Sequence, residues 1–189
     1  MNKLILASES PRRKELLRKA GVSFSILPSR IKEETLKKMP YAIVKDLAAQ
    51  KAIVVGNKLK DGIVIGADTI VVYKSHIIGK PKNNKEAIKI LSMLSGTWHS
   101  VYTGIALFEP KTGRLKCSYD VSRVKIRNLT KQEIISVSGK HLDKAGAYAV
   151  QEVEDDFVEK IIGDYNNVVG LPVKKLVKML RGFGVAIRV

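Results

Sequence analysis

The residues Leu4-Ile5-Leu6-Ala7-Ser8-Glu9-Ser10-Pro11-Arg12-Arg13 place an uninterrupted apolar run directly before a turn and a helix start. A short run of this kind is typical of a buried central strand. Ser10 is a good N-cap, and Pro11 suits the first helical position, where its missing N–H has no consequence. The stretch therefore predicts a strand, a tight loop and a helix that ends at Gly21.

The loop Ser8–Arg13 combines several features that suit an anion. A helix start offers unpaired N–H groups and a partial positive charge. Ser8 and Ser10 add hydroxyl groups, whereas Arg12 and Arg13 add planar guanidinium groups that match phosphate oxygens. We expect a polyphosphate-binding loop. The alternative, a capped surface helix with solvated arginines, fits the local sequence equally well.

A second informative stretch, Ile63–Tyr73, is an apolar strand pattern that is interrupted by Asp68. Aspartate is a poor strand former and is rarely buried without a partner. Gly66 and Ala67, just before it, leave room for another element to approach closely. We interpret Asp68 as a carboxylate held for function at the floor of a cleft. The alternative is a bulge or turn between two strands, with Asp68 bonded to the backbone.

The other patterns alternate between helix and strand, which favours an α/β fold with an elongated mixed sheet flanked by helices. Thr130 and Glu133 predict a capping box. Gly163–Asn167 is rich in turn residues and predicts a loop. Helices are predicted over 41–59, 83–94 and 172–181, strands over 22–27, 157–162 and 185–189, and a hairpin over 99–108 and 115–126.

Length and composition bound the class of protein. A chain of 189 residues with 45% apolar residues can form one domain, expected over 1–189. No apolar run is long enough to span a membrane, and no signal peptide is evident. Cys117 is the single cysteine, so neither a disulfide framework nor a cysteine-based zinc site is expected. These features predict a cytoplasmic protein without membrane partners.

The net charge of +16 fits three kinds of partner: nucleic acid, an anionic membrane surface, or anionic small molecules. The lysines are spread along the whole chain and do not choose among them. Some weak, non-specific affinity for nucleic acid at low salt is expected. A nucleic-acid-binding protein therefore stays open as an alternative, although aromatic residues are sparse and no recognition helix is evident.

Six stretches that run in order along nearly the whole chain together resemble the Maf family. Each is weak by itself, but the set is specific because all six occur in register. They are Ser8-x-Ser10-Pro11-Arg12-Arg13, Gly66-Ala67-Asp68-Thr69, Gly79-Lys80-Pro81, Ser95-Gly96-x-x-His99-x-Val101-x-Thr103-Gly104, Asp143-Lys144-Ala145-Gly146-x-Tyr148 and Gly163-Asp164-Tyr165-x-Asn167-Val168-Val169-Gly170-Leu171-Pro172.

The resemblance implies an inosine-triphosphatase-like fold of two lobes with a cleft between them, and often a homodimer. It implies a nucleoside triphosphate pyrophosphatase that cleaves between the α- and β-phosphates and depends on a divalent cation, Mg²⁺ or Mn²⁺. The Ala-Asp-Thr form, together with Gln151, is similar to the branch that acts on dTTP and UTP. A regulatory protein of cell division that keeps the fold without the activity is a further alternative.

The resemblance also implies roles for individual residues. Asp68 would be the catalytic general base, and Glu33 and Asp68 would hold the metal. Arg12, Thr69 and Gln151 would set the base preference, since a glutamine amide both donates and accepts hydrogen bonds as the edge of uracil or thymine requires. The residues expected to bind the phosphates are Ser8, Ser10, Arg12, Arg13, Lys51 and Lys80.

Overall fold

The computed structural model describes residues 3–140, 142, 145–148 and 157–187, in which helices and strands alternate along the chain. The strands are β1 Leu4–Leu6, β2 Ser25–Ile26, β3 Ile63–Tyr73, β4 His76–Ile78, β5 Trp98–Glu109, β6 Arg114–Ile126 and β7 Val158–Ile162. The helices are α1 Pro11–Lys19, α2 Pro40–Gly56, α3 Asn84–Leu94, α4 Lys131–Val137, α5 Tyr165–Val169 and α6 Val173–Arg181, with a 3₁₀ turn over Ala145–Ala147.

The strands of the described residues form one mixed sheet in the order β2-β1-β3-β5-β6-β7, and β4 pairs with β3. β1 is parallel to both β2 and β3, whereas the pairs β3–β4 and β6–β7 are antiparallel. Strands β5 and β6 are neighbours and follow each other directly along the chain, as the predicted hairpin requires. The expected α/β class with a mixed sheet and flanking helices is confirmed.

The chain divides into two compact units. Unit 1 comprises Met1–Asp68, Thr103–Asp120 and Gly170–Val189, and unit 2 comprises Thr69–Tyr102 and Val121–Val169. Strands β3, β5 and β6 contribute residues to both units. The single domain expected from the sequence stays a prediction.

Two glycines let helix α2 lie directly on the sheet in unit 1. A Cβ atom added to Gly66 would lie 2.1 Å from the carbonyl oxygen of Ala48, and one added to Gly104 would lie 2.1 Å from that of Val44. Any larger residue at either position would therefore push α2 away from β3 or β5. The close approach expected at Gly66 is confirmed, and it brings the buried face of α2 next to Asp68. The core on this side contains Ile5, Ala7, Ala48, Ala52, Val55, Val64 and Ala106.

Unit 2 has its own hydrophobic core, to which α3, α4 and four strands contribute. The helix starts follow the sequence predictions: the Asn83 side chain accepts from the Glu86 N–H at 3.0 Å, and Thr130 and Glu133 form the capping box. The buried core residues include Val71, Ile78, Ala87, Ile90, Leu91, Leu94, Val101, Val124, Ile126, Ile134 and Val137. None of the helices among the described residues combines the length and the apolar character needed to cross a bilayer.

Four sequence predictions differ from the structure. Strand β3 continues through Asp68, so the alternative of a turn between two strands there is wrong. The strand expected over 22–27 is shorter, because only β2 forms there. Both residues of β2 are exposed, so the strand has no buried face that would stabilise a longer one. The loop expected at Gly163–Asn167 begins helix α5, because the Asp164 carboxylate accepts the Asn166 N–H at 2.9 Å.

The fourth difference concerns the strand expected at the C-terminal end. Residues 185–187 are not in a strand. The Val185 N–H donates to the carbonyl of Leu180 at 3.1 Å, so the chain folds back on the end of α6 and does not extend along a sheet edge.

Candidate functional site

Glu33, Lys51 and Asp68 form a charged cluster in unit 1. The Lys51 Nζ atom lies 2.6 Å from Asp68 Oδ1 and 2.7 Å from Glu33 Oε1. Lys51, on the buried face of α2, is 6% exposed, and Asp68, in β3, is 5% exposed. Glu33 lies on the segment before α2, and its side chain is about half exposed. One ammonium group therefore joins a buried carboxylate to a carboxylate that solvent reaches.

The electrostatics of the charged cluster make Asp68 a candidate for catalysis. Burial raises the pKa of Asp68, and the neighbouring Lys51 opposes this effect. A carboxylate whose pKa moves towards neutrality becomes a better proton acceptor in water. Buried ion pairs contribute little to stability, because desolvation offsets their attraction. A titratable group that is perturbed by burial and by a specific charged partner is a candidate for catalysis.

The loop Ser8–Arg13 is joined to a distant part of unit 1 through the side chain of Arg13. The Arg13 Nε–H donates to the carbonyl of Gly170 at 2.9 Å, and Nη1 donates to Ser8 Oγ at 3.2 Å. Ser8 Oγ also accepts from the Ser10 N–H at 3.3 Å, and Ser10 Oγ accepts from the Arg13 N–H at 3.5 Å. Ser10 is the predicted N-cap, and Pro11 occupies the first turn of α1. Arg13 is thus not a solvated surface arginine.

Arg13 belongs electrostatically to the charged cluster. Burial lowers its pKa, the charges of Asp68 and Glu33 oppose this, and the adjacent Arg12 lowers the pKa further. Two neighbouring guanidinium groups repel each other, so a bound anion would stabilise both. The structure thus brings Ser8, Ser10, Arg12, Arg13, Glu33, Lys51 and Asp68 together in unit 1.

The other predicted site residues lie elsewhere in the chain. Thr69 directly follows Asp68 in β3 and is partly buried, and Lys80 is exposed after the end of β4; both belong to unit 2. Gln151 lies outside the described residues. The roles expected of Thr69, Lys80 and Gln151 stay predictions.

Gly170 lies in one of the motifs, but no sequence pattern assigns a contact to it. Its φ of +119° belongs to the region that favours glycine. The carbonyl oxygen of this residue accepts the hydrogen bond from Arg13 Nε. Only the folded chain could pair these residues, because 157 positions separate them.

Unit 2 contains a buried pair that is neutral. The His99 Nε2 atom lies 2.6 Å from the Tyr148 hydroxyl, and His99 is 3% exposed. Burial lowers the pKa of His99 to about 4 and raises that of Tyr148, so neither group is charged at pH 7. The pair therefore stabilises unit 2 through a hydrogen bond between uncharged groups.

The residues of the charged cluster fit a hard divalent cation. Glu33 and Asp68 provide carboxylate oxygens, which Mg²⁺ and Mn²⁺ prefer. Among the described residues, no group of three or more histidine, cysteine, aspartate or glutamate side chains is placed to hold a metal. An ion here would thus be bound by one or two carboxylates together with substrate phosphates and water, as is usual for Mg²⁺.

Comparisons with known proteins identify the family to which the chain is similar. The family model described as Maf-like protein matches residues 3–183. A dTTP/UTP pyrophosphatase of Elusimicrobium minutum (strain Pei191) is 46% identical over 182 residues, which cover 96% of this chain and 99% of that protein. A dTTP/UTP pyrophosphatase of Bacillus cereus (strain AH820) is 48% identical over 190 residues, with coverages of 98% and 97%.

One solved structure has a fold similar to that of this chain. The structure of the Staphylococcus aureus Ham1 protein superposes with a TM-score of 0.55 at 15% identity, over 95% of this chain and 98% of that chain. At this identity the likeness concerns the fold alone.

Proposed function

The chain belongs to the Maf-like protein family, and we propose that it is a nucleoside triphosphate pyrophosphatase that hydrolyses dTTP and UTP. The products would be the nucleoside monophosphate and pyrophosphate. We further propose that the same reaction removes modified pyrimidine nucleotides from the cellular pool. The names of the relatives from Elusimicrobium minutum and Bacillus cereus support the substrates. The homodimer and the cytoplasmic location expected from the sequence stay predictions.

The observation that carries the proposal is the buried contact of 2.6 Å between Lys51 and Asp68. A hydrolysis needs a group that accepts a proton from the attacking water, and we assign this role to Asp68. Burial raises its pKa, which suits the role, while Lys51 opposes this shift and orients the carboxylate through their contact. An ammonium group has three N–H donors. The two contacts with Asp68 and Glu33 leave Lys51 a third for a phosphate oxygen.

The positive side chains of unit 1 suit the charge of the triphosphate. Positioning and electrostatic stabilisation dominate phosphoryl transfer, because charge spreads over the phosphate oxygens in the transition state. Arg13 is held by Gly170 and Ser8, so its planar group is already oriented for phosphate. We assign Ser8, Ser10 and Arg12 to the same phosphates and Lys80 to a further phosphate contact.

Glu33 and Asp68 would hold a divalent cation through their carboxylate oxygens. When bound, Mg²⁺ or Mn²⁺ neutralises phosphate charge and lowers the pKa of coordinated water. The protein's own contribution is to hold both carboxylates beside one ammonium group. Arg12, Thr69 and Gln151 are assigned to base preference, since a site built to bond one base edge rejects a base that leaves its polar groups unpaired.

Pyrophosphate release from a panel of canonical and modified nucleoside triphosphates, with and without Mg²⁺ or Mn²⁺, tests the proposal. We expect metal-dependent release that is fastest with UTP and dTTP. Release that is fastest with a purine nucleotide would keep the reaction and overturn the roles of Thr69 and Gln151. A folded protein that releases pyrophosphate from no nucleotide and binds DNA would instead favour the nucleic-acid-binding alternative.

A further inference from the structure

The segment that carries Glu33 lies between β2 and α2. Residues 27–39 form neither helix nor strand. Leu36 is 99% exposed, and Met39 is also exposed, so these apolar side chains do not anchor the segment in a core. A segment with few buried contacts opens at low free energy. Other interactions must therefore keep the Glu33 carboxylate beside Lys51.

Hydrogen bonds between the segment and α2 supply these interactions. The Thr35 hydroxyl donates to Asp46 Oδ2 at 2.7 Å, and Gln50 Nε2 donates to the same oxygen at 2.8 Å. Gln50 Nε2 also donates to the carbonyl of Glu34 at 2.9 Å. We call Thr35, Asp46 and Gln50 the Asp46 network. Its two helical members share one face of α2, because residues four positions apart lie above each other.

The Asp46 network holds the two residues that directly follow Glu33. On α2, its member Gln50 directly precedes Lys51, whose Nζ lies 2.7 Å from Glu33 Oε1. The same turn of α2 thus presents the ammonium group and holds the segment that brings Glu33 to it. We propose that Asp46 and Gln50 are positioning residues that keep Glu33 in contact with Lys51. The catalytic part of this inference rests on the proposed function.

The network acts by reducing the number of conformations that Glu33 samples. Without it, fewer interactions would order the segment, so that holding Glu33 in place would cost more conformational entropy. A catalytic group that is displaced by about 1 Å loses much of its contribution to the rate. The kinetic effect should therefore appear in kcat more than in KM.

Substitution of Asp46 tests the proposal in the full-length protein. Asp46→Ala removes both bonds to Oδ2, and we expect kcat/KM for UTP to fall about tenfold. Asp46→Asn keeps an amide oxygen that can accept both bonds, and we expect it to stay within about twofold of the wild type. Equal losses in the two variants would overturn the proposal, because the charge of Asp46 and not its hydrogen bonds would then matter.

A double-mutant comparison asks whether Asp46 acts through Glu33. Glu33→Ala removes the carboxylate that the network positions. If Asp46 acts through Glu33, then Asp46→Ala in the Glu33→Ala background causes no further loss of kcat/KM. A further tenfold loss in that background would contradict the proposal.

The chain offers a matched control for the hydroxyl bond. Thr112 Oγ1 donates to Glu109 Oε2 and accepts from the N–H of Arg114, two residues later. Thr35 Oγ1 likewise donates to Asp46 and accepts from the N–H of Lys37, two residues later. We expect Thr35→Val to lower kcat severalfold and Thr112→Val to leave it unchanged. Similar effects of both substitutions would count against the proposal.

Limited trypsin digestion gives a readout that is independent of activity. Lys37 and Lys38 follow the residues that the network holds and are exposed. Cleavage after them should be about tenfold faster in Asp46→Ala than in Asp46→Asn, because it reports the population of the open segment. Equal cleavage rates would overturn the positioning role. This comparison decides that role even if the protein hydrolyses no nucleotide, which would refute the proposed function separately.

Discussion

The two units of the molecule bury different kinds of polar group. In unit 1, the buried polar side chains include the charged residues Lys51 and Asp68. In unit 2, the described buried polar side chains are neutral at pH 7, as with His99 and Asn167. Asn167 Nδ2 donates to the carbonyl of Val101 and to Ser122 Oγ, both at 3.0 Å. Both units contain buried polar side chains that form hydrogen bonds, but only in unit 1 do the described residues keep buried side-chain charges.

The difference indicates which contacts serve chemistry. Neutral hydrogen bonds stabilise a core without the large desolvation penalty that charges carry. A buried ion pair gives little or no net stability, so its presence needs another reason. The net charges of the two units differ in the same direction. Unit 1 has a formal net charge of +13, from 22 basic and 9 acidic side chains. Unit 2 has a formal net charge of +3, from 12 basic and 9 acidic side chains. A polyanionic substrate is a sufficient reason for both features.

Among the substitutions that test this difference between the two units, Asp68→Asn should have the largest effect. Loss of the proposed general base should lower kcat by about two to four orders of magnitude, while UTP binding measured by calorimetry stays largely intact. Asp61→Asn, at an exposed aspartate just before β3, is the control and should behave like the wild type. Joint loss of binding and turnover in folded Asp68→Asn would make Asp68 a binding residue.

The second effect concerns the stability of the charged cluster. Lys51→Met leaves the buried Asp68 carboxylate without its cation, so the free energy of unfolding should fall by about 4 kcal/mol. Lys51→Met/Asp68→Leu removes both charges, and we expect its denaturant midpoint to return to that of the wild type or above. A double variant that is less stable than Lys51→Met would show that the pair is held for stability, as in unit 2.

The third effect is the dependence of stability on pH in unit 2. The pKa of His99 is about 4 in the folded chain, against about 6.5 in the unfolded chain. Between these values the unfolded chain binds more protons, so this group lowers the free energy of unfolding as the pH falls from 6.5 to 4, by about 3 kcal/mol in total. His99→Gln, which does not titrate, should lack this component in urea titrations.

The exposed His76→Gln is the control for this measurement. It should leave the pH dependence as in the wild type. A wild-type profile that His99→Gln does not flatten would mean that His99 carries its charge in the folded protein, and the contrast between the units would fail.

A smaller effect is expected when the Tyr148 hydroxyl is removed. The buried His99 Nδ1 atom has no hydrogen-bond partner among the described residues, so Tyr148→Phe would deprive the ring of its contact at Nε2 as well. We expect a loss of about 2 kcal/mol in the free energy of unfolding. Tyr165→Phe, at an exposed tyrosine, should cost much less. Equal denaturant midpoints for the two variants would show that the His99–Tyr148 hydrogen bond does not stabilise unit 2.

The smallest effect should come from an exposed ion pair of unit 2. Lys125 Nζ lies 2.8 Å from Glu159 Oε1, with side-chain exposures of 31% and 47%. Glu159→Gln should change the free energy of unfolding by no more than about 0.5 kcal/mol, because solvent screens the pair. A loss comparable to that of Lys51→Met would mean that burial does not distinguish the two ion pairs.

Local patterns predicted the elements whose signals are short-range. The Ser10 cap, the Asn83 cap and the capping box of Thr130 are confirmed because each needs only the neighbouring residues. Asp68 could be identified because a carboxylate in an apolar strand contradicts strand propensity. Helix α5 was not predicted, because its five residues carry no periodic pattern and depend on the Asp164 side chain.

Contacts between distant residues could not be derived from patterns. The Lys51–Asp68 contact depends on how α2 lies over β3, which Gly66 and Gly104 set through backbone clearance. The Asp46 network holds a segment without periodicity, so no pattern pairs Thr35 with Asp46. The resemblance to a family gave roles to Lys51 and Glu33, but it did not give the residues that position them.

The most direct test is pyrophosphate release from UTP by the Lys51→Met/Asp68→Leu variant beside the wild type, at matched concentrations of folded protein. We expect a folded variant whose release does not exceed that of a protein-free control. Release within tenfold of the wild type would show that the buried charges of unit 1 do not perform the hydrolysis.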